Sequence, residues 1–210
     1  MPNEPMVAAA SERAPAVLVV HEWFGLNDYI RDTCRRFAAE GIHALAVDVF
    51  GGQSTTDPKV AMALVQAMQM PDAVAIVAAA TKQLLSDPRC NGQVFVAGFC
   101  MGGAVALAAS CFVPELAGAI PFYGVPPATR VDWPRRTVPV LGHYGKDDHS
   151  IPVAKVEAMT LAARVSSPPF NVAYYDAGHA FMRHTDASAY VPEAAAVAWA
   201  RTLTFMRPVT

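Results

Sequence analysis

QVFVAGFCMGGAVALAAS, residues 93–110, is the stretch of sequence that decides the fold. Its apolar part at 94–97 is typical of a short buried strand, and its alanine-rich end favours a helix. Between them stands Cys100, with one glycine two residues before it and another two residues after it. A strand that meets a helix through such a turn is a nucleophile elbow, in which a strained turn presents one reactive side chain. We therefore predict that Cys100 attacks a carbonyl carbon.

The two flanking glycines distinguish Cys100 from the other cysteines of the chain. A side chain at Gly98 or Gly102 is expected to collide with the neighbouring strand or helix, because the turn is tight. A buried cysteine is usually only a small apolar residue, and we interpret the remaining three in that way: Cys34, Cys90 and Cys111. Only Cys100 has the surroundings of a nucleophile.

The composition suits a compact, heavily buried domain more than a nucleic-acid-binding or membrane protein. Of 210 residues, 53% are hydrophobic and 16% are charged, which favours a single α/β domain over residues 1–210. The formal net charge is −2, and phosphate binding needs clustered cations that this sequence lacks. No apolar run reaches the roughly 18 residues that span a bilayer. The N-terminus does not resemble a secretory signal, and free cysteines fit a reducing compartment. We expect a cytoplasmic protein that is a monomer or a small homo-oligomer.

Strands and helices alternate along the chain. The pattern predicts strands at 16–20, 42–47, 94–97, 118–122, 138–144 and 170–175, with a further edge strand at 6–10. It predicts helices that begin at Asn27 or Asp28 and at Asp57, a third from Pro71 to about residue 86, one after Cys100, and two at 152–164 and 188–206. Gly41 is placed to end the first of them. This alternation indicates a mostly parallel sheet with helices on both faces.

Polar residues that follow the predicted strands are candidates for the chemistry, because ligands of open α/β sheets bind beyond the carboxyl ends of the strands. Cys100 follows one strand, Asp147 and Asp148 follow the next but one, and His179 follows the last. Nucleophile, acid and histidine occur in this order in α/β-hydrolases. His179 would take the thiol proton, and an aspartate behind it would fix its tautomer. Strand position alone leaves both Asp147 and Asp148 open as that acid.

Four segments together resemble the dienelactone hydrolase family. They are H-E-W-F-G at 21–25, G-F-C-M-G-G at 98–103, G-K-D-D-H-S-I-P at 145–152 and A-G-H-A-F-M-R at 177–183. They fall in the family's order, and the resemblance extends over residues 17–205. It implies an α/β-hydrolase fold of about six or seven strands, with reduced N-terminal strands and no large cap domain.

The resemblance also implies roles for five residues. Cys100 would be the nucleophile, His179 its base and Asp148, rather than its neighbour, the orienting acid. Arg183 would bind a substrate carboxylate. Glu22 would hydrogen-bond the thiol at rest and be displaced when substrate arrives. Since a carboxylate beside a thiolate is repulsive, we predict that the resting sulfur is protonated and that substrate switches it on.

Other parts of the site are less determined by the sequence. We expect the backbone N–H groups of Trp23 and Met101 to hold the oxyanion. Tyr123 and Phe181 can line a substrate pocket or merely pack in the core, as can Trp23 and Phe24, and the sequence leaves this open. No motif implies a cofactor or a metal ion.

The substrate is the main open question. The best-known family members carry a second substrate-binding arginine after the second strand pair, whereas this chain has no arginine at 37–88. The first hypothesis is therefore a hydrolase of a dienelactone-type lactone, a carboxymethylenebutenolide. The alternatives are a general carboxylesterase or lactonase for small esters, and a binding protein that has lost catalysis.

Overall fold

A computed structural model describes residues 13–207 of the chain, so the edge strand expected at 6–10 lies outside the described residues. One sheet contains six strands: β1 (Ala14–Val20), β2 (His43–Val47), β3 (Cys90–Phe99), β4 (Gly118–Phe122), β5 (Val140–Gly145) and β6 (Phe170–Tyr175). Their order across the sheet is β2-β1-β3-β4-β5-β6, and every neighbouring pair is parallel. The predicted parallel sheet is confirmed.

Helices cover both faces of this sheet. They are α1 (Asp28–Ala39), α2 (Pro58–Ala67), α3 (Met70–Leu85), α4 (Met101–Phe112), α5 (Val153–Ala162) and α6 (Pro192–Met206). Helices α1 and α6 bury their apolar sides in one core layer, and α3, α4 and α5 bury theirs in the layer on the opposite face. The structure therefore has the three-layer arrangement that the alternating sequence pattern predicted.

Local sequence explains where several helices begin. The Asn27 side chain accepts a hydrogen bond from the backbone N–H of Ile30 at the start of α1. Asp57 does the same for Lys59, and Pro58 occupies the first turn of α2. Helix α6 is shorter than predicted and begins at Pro192. The reason is a turn that precedes it, in which the Asp186 carboxylate accepts bonds from the backbone N–H and hydroxyl of Ser188.

The order of the strands places an opening beside β1 and β3. Within residues 13–207 the first strand is β1; β2 is added on one side of it, and the chain then crosses to add β3 on the other. Connections that leave β1 and β3 therefore diverge, which creates the crevice where open α/β sheets bind ligands. Val20 and Gly98 are paired in register, so Glu22 and Cys100, each two residues further on, emerge at the same edge of the sheet.

Helices α2 and α3 form a sharp corner above this edge. No single helix within residues 13–207 has the length and apolar composition of a membrane span. The pair α2 and α3 reaches those limits only when both are taken together, and an 84° bend separates them.

Candidate active site

Cys100 occupies a strained turn between β3 and α4. Its φ and ψ angles are 53° and −115°, a region that residues with a side chain rarely adopt. A Cβ atom added to Gly98 would lie 2.0 Å from the carbonyl oxygen of Gly102. One added to Gly102 would lie 2.5 Å from the carbonyl oxygens of both Val20 and His21. Only glycine fits at these two positions, as the sequence indicated, and the close approach holds the end of β1 against the elbow.

The structure brings together Cys100, His179 and Asp148, which are far apart in the sequence. The sulfur of Cys100 lies 3.1 Å from Nε2 of His179, and Nδ1 of the same ring lies 2.7 Å from Oδ2 of Asp148. The other carboxylate oxygen of Asp148 accepts hydrogen bonds of 2.8 Å from the backbone N–H groups of Ser150 and Ile151. These bonds fix the direction of the carboxylate, which in turn fixes the imidazole.

Asp147 and Asp148 differ clearly in their surroundings. Asp148 is 3% exposed and faces the imidazole, whereas Asp147 is exposed and uses its backbone N–H to bond the carbonyl of Ala177 at 3.0 Å. Burial acts to raise the pKa of Asp148, but hydrogen bonds from His179 and the Ile151 N–H, together with the histidine charge, lower it overall. Asp148 is therefore an anion held against the ring.

The pKa of His179 is raised to about 10. Burial acts to lower this pKa, but the hydrogen bonds to Asp148 and Cys100 and the negative charges of both partners outweigh burial. The ring therefore lies between the Asp148 carboxylate and the Cys100 sulfur, where an imidazolium that formed by taking up the thiol proton would be stabilised. That the resting sulfur is protonated and is switched on by substrate stays a prediction.

The Glu22 carboxylate is held by Tyr123 and Arg183. The residue is 2% exposed; Oε1 accepts a hydrogen bond from the Tyr123 hydroxyl, and Oε2 lies 3.3 Å from a guanidinium nitrogen of Arg183. The contact with Arg183 has the distance of an ion pair but not the geometry of a hydrogen bond, and Oε2 has no hydrogen-bond partner within residues 13–207. Burial raises the pKa of Glu22, although the Arg183 charge partly offsets it. In this structure the carboxylate contacts Arg183 and Tyr123, and the sulfur contacts His179 instead.

Arg183 is paired with two carboxylates. Besides Glu22, it contacts Asp186 through its second terminal nitrogen at 3.2 Å, and its guanidinium lies 5.7 Å from the centre of the Phe24 ring. These contacts leave 17% of the side chain exposed. A substrate carboxylate that bound Arg183 would have to compete with both acidic side chains.

A cavity of about 650 Å³ opens onto Cys100 and His179. Trp23 and Met101, whose backbone N–H groups were the predicted oxyanion donors, both line it, and so does Tyr123. Phe181 does not reach the cavity wall. Its ring is fully buried and packs against the rings of Tyr123 and Tyr175, with centroid distances of 5.5 and 5.1 Å.

Most of the outer wall of this cavity was not predicted from the sequence. Three methionines from α2 and its corner with α3 form that wall, namely Met62, Met68 and Met70, and Arg130 from the turn after β4 lies nearby. The only sequence feature that could have indicated this wall is the concentration of methionine in residues 62–70, which follow the second strand. Flexible, polarizable methionine side chains adapt to differently shaped apolar ligands.

Comparison with known proteins gives a consistent result. A sequence model of the dienelactone hydrolase family matches residues 5–210. A carboxymethylenebutenolidase from Pseudomonas putida is 32% identical over 213 residues, which cover 95% of this chain and 88% of that protein. A dienelactone hydrolase-like promiscuous phosphotriesterase from metagenomic libraries superposes with a TM-score of 0.84 at 26% identity, over 93% of this chain and 87% of its own. An esterase from Thermogutta terrifontis shares the fold, with a TM-score of 0.66 at 16% identity over 98% and 90% of the two chains.

Proposed function

This chain belongs to the dienelactone hydrolase family, and from that premise we propose that it hydrolyses carboxylic esters and lactones with Cys100 as the nucleophile. The observation that carries the proposal is the 3.1 Å contact between the Cys100 sulfur and Nε2 of His179, on an elbow aimed into a cavity. Asp148 supports the opposite side of the imidazole at 2.7 Å. Nucleophile, base and orienting acid thus have the mutual geometry that acyl transfer requires.

The first half of the proposed reaction forms an acyl-enzyme. The sulfur, after giving its proton to Nε2 of His179, attacks the carbonyl carbon and forms a C–S bond. Negative charge moves to the carbonyl oxygen, where the N–H groups of Trp23 and Met101 would each stabilise it by about 3–4 kcal/mol. The C–O bond then breaks, and the leaving alkoxide takes the proton from Nε2. In a lactone this alcohol stays attached to the acyl group.

The second half regenerates the thiol. A water molecule gives a proton to Nε2 of His179 and attacks the thioester carbon. The C–S bond breaks, the carboxylic acid is released, and the sulfur recovers the proton from the ring. Throughout both halves Asp148 remains an anion that stabilises the imidazolium, which agrees with its lowered pKa.

Trapping the acyl-enzyme tests the proposal. We expect acid quenching during turnover of a 4-nitrophenyl ester to leave one acyl group on the protein, and peptide mass mapping to place it on Cys100. The three other cysteines are internal controls because they are buried away from the cavity: Cys34, Cys90 and Cys111. An acyl group on another residue, with none on Cys100, would contradict the proposed nucleophile.

A dienelactone-type lactone is the first candidate substrate. The similar protein from Pseudomonas putida is named a carboxymethylenebutenolidase, and such a lactone carries a carboxylate that Arg183 could bind. Glu22 would then leave Arg183 as substrate arrives, which couples carboxylate binding to a movement beside Cys100 and Tyr123.

A general ester or lactone hydrolase is the second candidate, and the pairing of Arg183 favours it. The guanidinium is already opposed by Glu22 and Asp186, so it offers an anionic substrate little net positive charge. Breaking these partly buried contacts costs free energy, and this cost lowers the net binding energy that an ion pair between Arg183 and a substrate carboxylate would give. The methionine-lined outer wall also favours an uncharged substrate.

A substrate panel with the Arg183→Ala variant separates the two candidates. If the general hydrolase is correct, the ratio of kcat/KM for neutral and carboxylate-bearing lactones of equal size should stay within about threefold of wild type. Arg135→Ala, which removes an exposed arginine that does not line the active-site cavity, is the matched control. A selective loss of about tenfold or more on the anionic lactones alone would assign Arg183 to carboxylate binding.

A further inference from the structure

We propose that the substrate carries an apolar tail that extends from the active-site cavity into a second, adjoining groove between α3 and the loop after β4. This inference rests on the proposed function and specifies the substrate class. A substrate of this class differs from a compact, carboxylate-bearing lactone, because the protein would recognise it by burying its hydrocarbon tail.

The groove is larger than the active-site cavity and mainly apolar. Its volume is about 820 Å³. One wall is a single face of α3, formed by Met70, Val74 and Ala78 at four-residue spacing with Ala75 beside them. The facing wall contains two rings, which belong to Phe112 and Trp133. A volume of about 820 Å³ lies within the range of pockets that bury ligands, so the groove has room for a hydrocarbon chain.

The groove and the active-site cavity meet at two side chains. Met70 and Arg130 line both of them, so these residues form the shared boundary. Met70 has three rotatable bonds and adapts to its surroundings. Arg130 is exposed, and no hydrogen bond or ion pair within residues 13–207 holds its guanidinium. The Arg130 side chain can therefore move aside, and its aliphatic stem can cover a bound tail while its charge stays in water.

The distribution of polar groups favours hydrocarbon over a polar tail. The polar side chains that line the groove are Thr129, Arg130 and Asp132, and all of them belong to one loop at its edge. The face of α3 contributes no polar side chain to the groove. A polar tail laid along that face would lose its hydrogen bonds to water without replacement, whereas a hydrocarbon tail gains by leaving water.

The proposal predicts a dependence on tail length. Each methylene group that moves from water into an apolar site improves binding by about threefold to fourfold. We expect kcat/KM of the wild-type protein to rise by about tenfold or more from butanoate to octanoate esters of 4-nitrophenol, or from ethyl to octyl acetate, depending on which side of the ester bond occupies the groove.

Filling the groove should remove this dependence. In Ala75→Trp an indole replaces a small, exposed side chain on the groove face of α3. We expect it to lower kcat/KM for the long ester by about tenfold while the short ester stays within about twofold of wild type. Ala79→Trp is the matched control, since Ala79 is also exposed on α3 but does not line the groove. Ala78→Phe provides a second obstruction at a half-buried position.

A binding measurement keeps the inference independent of turnover. Calorimetry with an octyl and a methyl trifluoromethyl ketone should show tighter binding of the octyl compound to wild type and to Ala79→Trp, but not to Ala75→Trp. Equal effects of the Ala75 and Ala79 substitutions, or no gain from a longer tail in either ester series and in calorimetry, would overturn the groove proposal. The proposed function would still stand if short esters acylate Cys100. Failure of the groove proposal can therefore be distinguished from failure of the proposed function.

Discussion

Replacing Cys100 with alanine is expected to lower kcat/KM for ester hydrolysis by about 10⁴-fold or more, because the bond-forming atom is removed. The fold should persist. Alanine has the same backbone restrictions as cysteine at the positive φ of this position, and it fits wherever the cysteine fits. Steady-state kinetics with 4-nitrophenyl esters and short lactones measures the loss, and circular dichroism checks the fold.

Cys111→Ala is the matched control for this experiment. Cys111 lies in the same helix, α4, but its buried sulfur faces the carbonyl of Leu107 at 3.9 Å and not the cavity. Its removal should leave kcat/KM within about twofold of wild type. If Cys100→Ala kept wild-type turnover, neither the acyl-enzyme nor the role of His179 as its base could be maintained. If wild type itself hydrolyses nothing, the protein is a binding protein with a hydrolase fold.

Gly102→Ala is expected to reduce the free energy of unfolding by about 3 kcal/mol or more, since the new methyl group has no space. It would lie 2.5 Å from two backbone carbonyl oxygens at the end of β1, and backbone atoms cannot rotate away as a side chain can. The displacement would also separate Trp23 from Met101, so activity should fall together with stability. Urea unfolding gives the first quantity and kcat/KM the second.

Gly178→Ala separates this effect from a general sensitivity near the site. Gly178 precedes His179, yet an added Cβ would meet only the carbonyl oxygen of Asp147, at an ordinary 3.9 Å. Its substitution should change the free energy of unfolding by less than about 0.5 kcal/mol. Similar losses in the two variants would mean that the close contact between the elbow and β1 is not what makes glycine necessary at position 102.

The elements that determine the chemistry could be predicted from the sequence because their patterns are local. Strands β4 and β6 begin and end where the apolar runs do. The elbow requires glycines at fixed offsets, and strand ends of a parallel sheet meet at one edge, so the order of residues along the chain was enough to group Cys100 and His179 with Asp147 or Asp148. The choice of Asp148 came from the resemblance to the family. The later start of α6 was not predicted, because it depends on the turn that Asp186 forms with Ser188.

The groups proposed to determine the substrate could not be predicted from local patterns, because their contacts are tertiary. The ion pair between Glu22 and Arg183 joins residues separated by most of the chain. The methionine wall depends on the 84° bend between α2 and α3, which no local pattern specifies. The same spacing of apolar residues would suit a helix packed wholly in the core, so neither the cavity nor the groove beside it has a sequence pattern of its own.

The corner between α2 and α3 has a consequence for engineering the protein. It contributes Met62, Met68 and Met70 to the wall but none of the residues proposed to make or break bonds. This part of the proposed substrate-binding wall and the residues proposed for the chemistry therefore belong to separate segments of the chain. Libraries confined to residues 57–78 should redirect the enzyme toward new acyl or alcohol groups while the catalytic apparatus at the strand ends is inherited unchanged.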